Sequence, residues 1–396
     1  MSISRRHFTG LTAFWVVSAC APQVPPSGPQ SPAQSREEPG LRATRNPGFD
    51  AWLVGFRARA AGQGIGAAVL DRALARAGYL PGVLERDRTQ TEFRRTLEDN
   101  IALATSDERI RVGKVMLTRH KALFAGIESR YRVEAPVVAA IWGHESIYGQ
   151  RRGNIPVVSS LATLAYAGRR RDFFAGQLVA ALKIIQAGEV SAGNMVGSWA
   201  GAMGHTQFIP TTYLSHAVDY TGDGRRDVWG DDPADALASA ASYLKRAGWR
   251  HGQPWGIEVR RSDGRDMQGR VVPDYGGAQI VTPAGQSGPA FKLFHNYKVL
   301  RRYNNALSYA ISVGHLADRL AGGGPFQTPF APDPQGLSLA DRKDMQRRLA
   351  AAGFDPGGLD GVIGPKTIAA IRAYQRANGL TVDGVASRAL LAHLRT

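Results

Sequence analysis

Cysteine is almost missing from this chain: 396 residues contain one, Cys20. A lone cysteine excludes a disulfide framework within the chain, and no Cys–His spacing of the zinc-binding kind accompanies it. Acidic residues are also scarce. Asp and Glu number 33 against 49 Lys and Arg, a formal net charge of +16. Acidic polymers are therefore the expected partners, either nucleic acid or an anionic cell-wall polymer. The basic residues are spread along the chain without a nucleic-acid motif, which argues against a dedicated DNA groove. The apolar stretch Phe8–Ala19 is too short to span a bilayer as a helix. What is present is length for two or three domains and 43% hydrophobic residues to fill their cores.

The first 20 residues read as a targeting segment. Ser4-Arg5-Arg6-His7-Phe8 resembles a twin-arginine export signal, and Val17-Ser18-Ala19-Cys20 resembles a bacterial lipobox. In such a motif the cysteine becomes the acylated first residue. Cleavage without lipidation is the alternative. Residues 21–44 carry Pro22, Pro25, Pro26, Pro29, Pro32 and Pro39, the composition of a stiff tether that forms no core.

Residues 45–321 show mostly helical periodicity. Val69, Leu70, Ala73, Leu74 and Ala77 form one apolar stripe, Val115 to Ile127 another, and Phe173 to Ala187 a third. Short strand material lies between Trp255 and Ala290, and helix is expected again over 291–320. The fold class is mainly α with a small β-containing insertion. Residues 322–336, rich in Gly and Pro, form a linker expected to let the tail move independently. Residues 337–396 form a separate three-helix module. Its Leu359-Asp360-Gly361-Val362 and Val382-Asp383-Gly384-Val385 are an internal echo of one turn.

Four segments carry chemistry. In Ala139–Gly149, Pro136 can open a short helix and Gly149 can end it. Glu145 then shares a face with Val138, Ile141, Trp142 and Tyr148. Apolar surroundings disfavour a charged carboxylate, and a carboxylic acid kept neutral can protonate a leaving group. A solvated Glu at a helix end is the plainer alternative. The second segment, Ser198 to Tyr213, combines Gly201 and Gly204 with Ser198 and Gln207, neutral groups suited to sugar hydroxyls. It also reads as a helix–loop–helix junction. Third, Tyr303-Asn304 at a helix start could offer a phenol and an amide. Fourth, Asp219-Tyr-Thr221-Gly-Asp223-Gly-Arg225-Arg-Asp227 has the oxygen spacing of an EF-hand loop, but Gly230 stands at position twelve. Asp231 or Asp235 could supply the last ligand. Asp232 as the cap of a following helix is the other reading.

Taken in order, Ile141-Trp-Gly-His-Glu145-Ser, Gly201-Ala-Met-Gly…Gln207-Phe-Ile-Pro210, the Asp219 loop and Arg302-Tyr-Asn304 resemble the membrane-bound lytic murein transglycosylase B family (glycoside hydrolase family 103). The tail resembles a peptidoglycan-binding module. The resemblance implies a lysozyme-like catalytic domain that cleaves the MurNAc–GlcNAc β-1,4 bond of peptidoglycan glycan strands and leaves 1,6-anhydro-MurNAc ends. It implies Glu145 as the single acid/base and Ser198, Gln207, Tyr303 and Asn304 as substrate-binding residues. It implies a structural Ca²⁺ held by Asp219, Thr221, Asp223, Arg225 and Asp235, with no cofactor in the chemistry. A monomer, anchored through Cys20 to a membrane on the periplasmic side, the outer one favoured, completes the expectation. Hydrolytic glycosidases need two carboxylates, and neither the Glu145 nor the Gln207 segment offers a second. The competing functions are a hydrolytic muramidase and a non-catalytic wall-anchoring lipoprotein.

Overall fold

Helix-forming runs broken by proline, glycine and capping side chains yield 16 helices and two small sheets among the described residues, which are 41–89, 95–275 and 277–396 of the computed structural model. The export signal, Cys20 and the tether as far as residue 40 lie outside the described residues. The folded body begins slightly before residue 45. The Thr44 amide donates to the Tyr79 carbonyl at 2.9 Å, and Leu41 packs on the core.

The helices are α1 (Pro47–Gly62), α2 (Ala67–Leu74), α3 (Pro81–Thr89), α4 (Leu97–Ala104), α5 (Asp107–Arg119), α6 (Lys121–Tyr131), α7 (Ala135–Ser146), α8 (Val157–Ala167), α9 (Arg171–Gln186), α10 (Pro210–His216), α11 (Ala234–Arg246), α12 (His295–Tyr303) and α13 (Leu307–Leu320). Asn46, Thr96 and Ser106 each accept an orphan amide at a helix start. Strands β1 (Ile155–Pro156) and β2 (Val196–Gly197) pair antiparallel. Strands β3 (Gly256–Val259), β4 (Gln279–Val281) and β5 (Ala290–Leu293) form an antiparallel sheet in the order β3-β5-β4. The tail adds α14 (Leu339–Ala351), α15 (Pro365–Ala377) and α16 (Arg388–Arg395).

Two apolar cores share the large domain. One joins α1, α2, α8 and α9 through Phe49, Phe56, Leu70, Leu161 and Leu178. The other joins α6, α7, α11 and α13 through Ile127, Val138, Ile141, Leu237 and Val313. Each fully buried side chain of this kind contributes about 1.5–3 kcal/mol. Tyr243 and Tyr303 pack against both cores and mark the seam.

Three sequence expectations differ from the fold. The Val115–Ile127 stripe is two helices, because His120 closes α5 by donating its amide to Met116, and Val115 points to solvent. Residues 291–293 belong to β5 rather than to helix, and Val271 and Val272 lie outside the strands. The linker is not free. Buried Glu258 accepts the amides of Gln327 and Thr328 at 2.7 Å each, and the Phe326 ring stacks on His315 with 3.7 Å between centroids. A buried carboxylate needs donors, and the linker backbone supplies them.

The tail repeats one device. Gln346 donates to the Asp360 carboxylate and accepts the Gly361 amide. Gln375 does the same for Asp383 and Gly384. Gly361 and Gly384 both sit at positive φ, 81° and 75°.

His315 makes stability pH-dependent. Burial, then the charge of Arg319, lowers its pKa from 6.5 to about 3. The unfolded chain takes up a proton near the ordinary value that the native ring refuses. Its contribution is therefore complete above pH ~6.5 and falls as pH drops toward ~3. Urea unfolding at about pH 7 and about pH 4 should show a smaller loss for His315→Gln than for wild type. Equal losses would remove His315 from the account.

Candidate active site

Helix α7 owes its start to Pro136 in its first turn and its burial to Val138, Ile141 and Trp142, all at most 2% exposed. Glu145 lies in its last turn. The helix does not run on to Gly149. It stops at Ser146, and Ile147, Tyr148 and Gly149 follow with φ of 52°, 54° and 86°. Two of these three left-handed residues are not glycine, a costly conformation found chiefly where surrounding structure enforces it. Tyr148 consequently leaves the face of Glu145 and folds back over Gly143 and Gly113. A Cβ at either glycine would lie 2.5 Å or 2.2 Å from the Tyr148 ring and hydroxyl atoms.

Ser146 secures this turn. Its hydroxyl donates to the His205 carbonyl at 2.6 Å and accepts the Gly149 amide at 3.0 Å. His205 is itself oriented. Trp142 Nε1 donates to its Nδ1 at 3.0 Å, so Nε2 carries the proton that meets the Gly230 carbonyl at 2.8 Å. Burial lowers the pKa of this imidazole, which keeps it in the neutral form.

The loop after β2 follows the same logic. Gly204 has φ 69°, and a Cβ there would stand 1.9 Å from the Val228 carbonyl oxygen. Gln207 also takes a positive φ, 53°. Its amide nitrogen donates to the Gly204 carbonyl at 2.8 Å and the Arg152 carbonyl at 3.1 Å, leaving Oε1 as the atom for a ligand. Ser198 accepts the Ala202 amide at 3.1 Å and remains half-buried.

From the other core comes a pair of phenols. The Tyr309 hydroxyl donates to Glu145 Oε1 at 2.8 Å. The Tyr303 hydroxyl donates to the Thr206 carbonyl at 2.6 Å, beside Gln207. The two rings lie parallel, 6.2 Å apart, and His144 meets Tyr309 edge-on at 4.8 Å. Burial, then the charge of Glu145, pushes both phenols well above the ordinary tyrosine value. They stay protonated and act as donors. Desolvation, then Arg109, lowers His144 to about 3, although the ring keeps some exposure; the surrounding heavy atoms account for the neutral form.

Glu145, Tyr303 and Gln207 thus converge at the seam between the cores, with Ser198 on the same loop as Gln207. Asn304 is exposed at the rim, where its Oδ1 accepts the Ala306 amide at 3.1 Å. Tyr303 and Asn304 close α12 rather than start a helix. Tyr309 was not among the site residues expected from the sequence.

At the acidic loop, Asp219, Asp223 and Asp235 each offer an oxygen within 4.8 Å of the others. Asp235 is buried and accepts the amides of Tyr220, Thr221 and Asp227. Burial raises Asp219, but the Gly224 and Gly222 amides outweigh it and hold the carboxyl below its usual range. Asp231 pairs with Arg152 at 2.8 Å and does not belong to that group of three. Pro233, not Asp232, caps α11, while Asp232 accepts the Ala234 amide. Thr221 donates to Asp219 at 3.4 Å, and the Arg225 amide donates to Asp223 at 2.9 Å.

A family model described as Transglycosylase SLT domain matches residues 48–318, and one described as Putative peptidoglycan binding domain matches residues 338–394. The chain belongs to the SLT transglycosylase family. It is similar to SltB3 from Pseudomonas aeruginosa, solved in complex with NAG-anhNAM-pentapeptide, at 45% identity and a TM-score of 0.69, over 89% of this chain and 100% of that one. Soluble lytic transglycosylase SltB1 from Pseudomonas aeruginosa is 27% identical with a TM-score of 0.59, over 68% of this chain and 98% of that one. Membrane-bound lytic murein transglycosylase B of Escherichia coli (strain K12) is 30% identical over 211 residues, which cover 48% of this chain and 58% of that relative. The architecture is therefore a lysozyme-like transglycosylase domain followed by a helical peptidoglycan-binding module.

Tyr309→Phe deletes one charge-assisted hydrogen bond and keeps the ring stack. It should lower kcat on peptidoglycan by about tenfold, the effect of about 1.4 kcal/mol, with little change in KM. A variant with wild-type kcat would show that the phenol does not act on Glu145 during turnover.

Proposed function

We propose that this chain is a lytic transglycosylase that cuts the MurNAc–GlcNAc β-1,4 bond of peptidoglycan without water. The observation that carries the reading is the Glu145 carboxylate, set between an apolar helix face and the Tyr309 hydroxyl. Glu145 donates its proton to the glycosidic oxygen as the C1–oxygen bond breaks. The resulting carboxylate then takes the proton of the MurNAc C6 hydroxyl, whose oxygen closes on C1. The anhydro ring forms, Glu145 is restored as an acid, and no water is consumed. An internal hydroxyl nucleophile removes the need for a second protein carboxylate.

Tyr309 holds Glu145 in place between the two proton transfers. Gln207 offers Oε1, and Ser198 its hydroxyl, to the sugars. Tyr303 fixes the Gln207 loop from beneath and supplies a wall, and Asn304 meets the strand at the rim. Support comes from SltB3, 45% identical, whose complexes carry NAG-NAM-pentapeptide and NAG-anhNAM-pentapeptide. Glu145→Gln keeps shape and polarity but removes the transferable proton. Turnover should fall by roughly 10²–10⁴ while binding persists. Mass spectrometry of a wild-type digest should show ends one water lighter than reducing MurNAc. Near-normal activity of Glu145→Gln, or reducing ends in the digest, would replace this reading with a muramidase or with a chemistry centred elsewhere.

The acidic loop fits a hard cation. Three carboxylates so close repel one another, and their oxygens match the donors Ca²⁺ prefers. Asp219, Asp223 and Asp235 would hold the ion, with Thr221 and the Arg225 carbonyl completing the set. Its role is structural, because the loop ties α10 to α11. A chelator should lower the melting temperature, and added Ca²⁺ should restore it. No change, with no metal by elemental analysis, would leave a loop held by backbone amides alone.

Lipidation of Cys20 would place the enzyme on the periplasmic side of a membrane, the outer one favoured, with its wall-binding module toward the glycan. Cell fractionation of Cys20→Ala checks this by release into the soluble periplasm. One chain carries every residue of the set, so a monomer suffices.

A further inference from the structure

We infer that Arg342 is a latch that fixes the peptidoglycan-binding module in one orientation on the transglycosylase domain, so that both engage a glycan strand in fixed register. The inference rests on the transglycosylase reading above for the strand, but not for the latch. Arg342 belongs to α14 and is only 5% exposed. Its guanidinium reaches three carboxylates from two other segments: Glu98 at 2.5 Å and Asp99 at 3.5 Å on α4, and Asp333 at 3.3 Å on the linker. Its Nε donates to the Gly361 carbonyl at 2.8 Å inside the module. One buried side chain therefore joins the domain, the linker and the echoed Asp-Gly turn.

Two further observations agree. The linker is fastened at Glu258 and by the Phe326 ring, so it leaves the module no free swing. The docked module also brings Asp360 near enough for its charge to act on Arg109. Arg109 donates to the Gly143 carbonyl at 3.0 Å, two residues before Glu145 on α7. The module thus stands beside the end of the helix that carries Glu145. A buried ion cluster is a weak source of net stability, but its geometry is exacting and removal of one partner is costly. That makes it suited to setting an orientation. Two linked sites held in register raise the effective concentration of the strand at the cleft beyond what a loose tether provides.

Arg342→Ala would strand three carboxylates and endanger folding. The double variant Glu98→Gln with Asp99→Asn is cleaner, because Asp333 and Gly361 still hold Arg342. Spin labels at Lys121→Cys on α6 and Arg376→Cys on α15, in the full chain carrying Cys20→Ser, report the distance between the two parts. Wild-type contacts should give one narrow distribution, and the double variant a broad one. KM for intact sacculi should then rise about tenfold in the double variant, with kcat and turnover of a short soluble tetrasaccharide-peptide fragment unchanged. A broad distribution with Glu98 and Asp99 intact, or a narrow one in the double variant, overturns the latch. A broadened distribution with unchanged KM on sacculi overturns its role in register. Absence of anhydro products from wild type would refute the transglycosylase reading alone, since the distances require no turnover.

Discussion

The site depends on one constraint: α7 must end one residue after Glu145. A further helical turn would place side chains over the carboxylate and bury it. The chain stops by three successive left-handed residues, two of them Ile147 and Tyr148. Such residues cost on the order of 1–3 kcal/mol each unless the surroundings over-determine them. Here the surroundings do. Ser146 ties the turn to His205, the Tyr148 ring fills the room left by Gly143 and Gly113, and the Trp142 indole pins the imidazole. Removing either glycine would push Tyr148 out and with it the end of the helix.

The same turn explains why two cores are better than one. Glu145 arrives from the core of α6, α7, α11 and α13, whereas Gln207 and Ser198 arrive on a loop attached to the core of α8 and α9. A cleft between two rigid bodies keeps polar groups facing each other without burying them fully. Tyr303 crosses the seam and hydrogen-bonds the Thr206 carbonyl, so the loop cannot drift from the carboxylate. Preorganisation of this kind supplies positioning before substrate binds.

Much of this was legible in the residues. The dense Glu145 segment, the glycine-rich loop before Pro210, the acidic loop and the tail's paired Asp-Gly turns all stand out by spacing. The lysozyme-like class came from the family that their order resembles. Periodicity failed where tertiary contacts decide. His120 divides what reads as one stripe, because α5 packs on α7 and α13 whereas α6 packs chiefly on α11. Tyr309 has no local mark that sets it apart from other aromatic residues on an apolar helix; only the fold brings it 2.8 Å from Glu145. The linker's composition suggested freedom, yet one buried glutamate on β3 binds it down. Gln346 and Gln375 likewise look like ordinary surface polar residues until their turns fold over them.

Those two glutamines bear on how the tail arose. Each belongs to a helix followed by a turn, and each reads the turn with the same pair of bonds, one given to an aspartate and one taken from a glycine. The module is thus two copies of one helix-and-turn unit, closed by a short final helix. Duplication of an ancestral half accounts for the match more simply than convergence on the same four-residue pattern. The aspartate follows its glutamine by 14 residues in one copy and by 8 in the other, so the connecting segment can change length while both bonds persist.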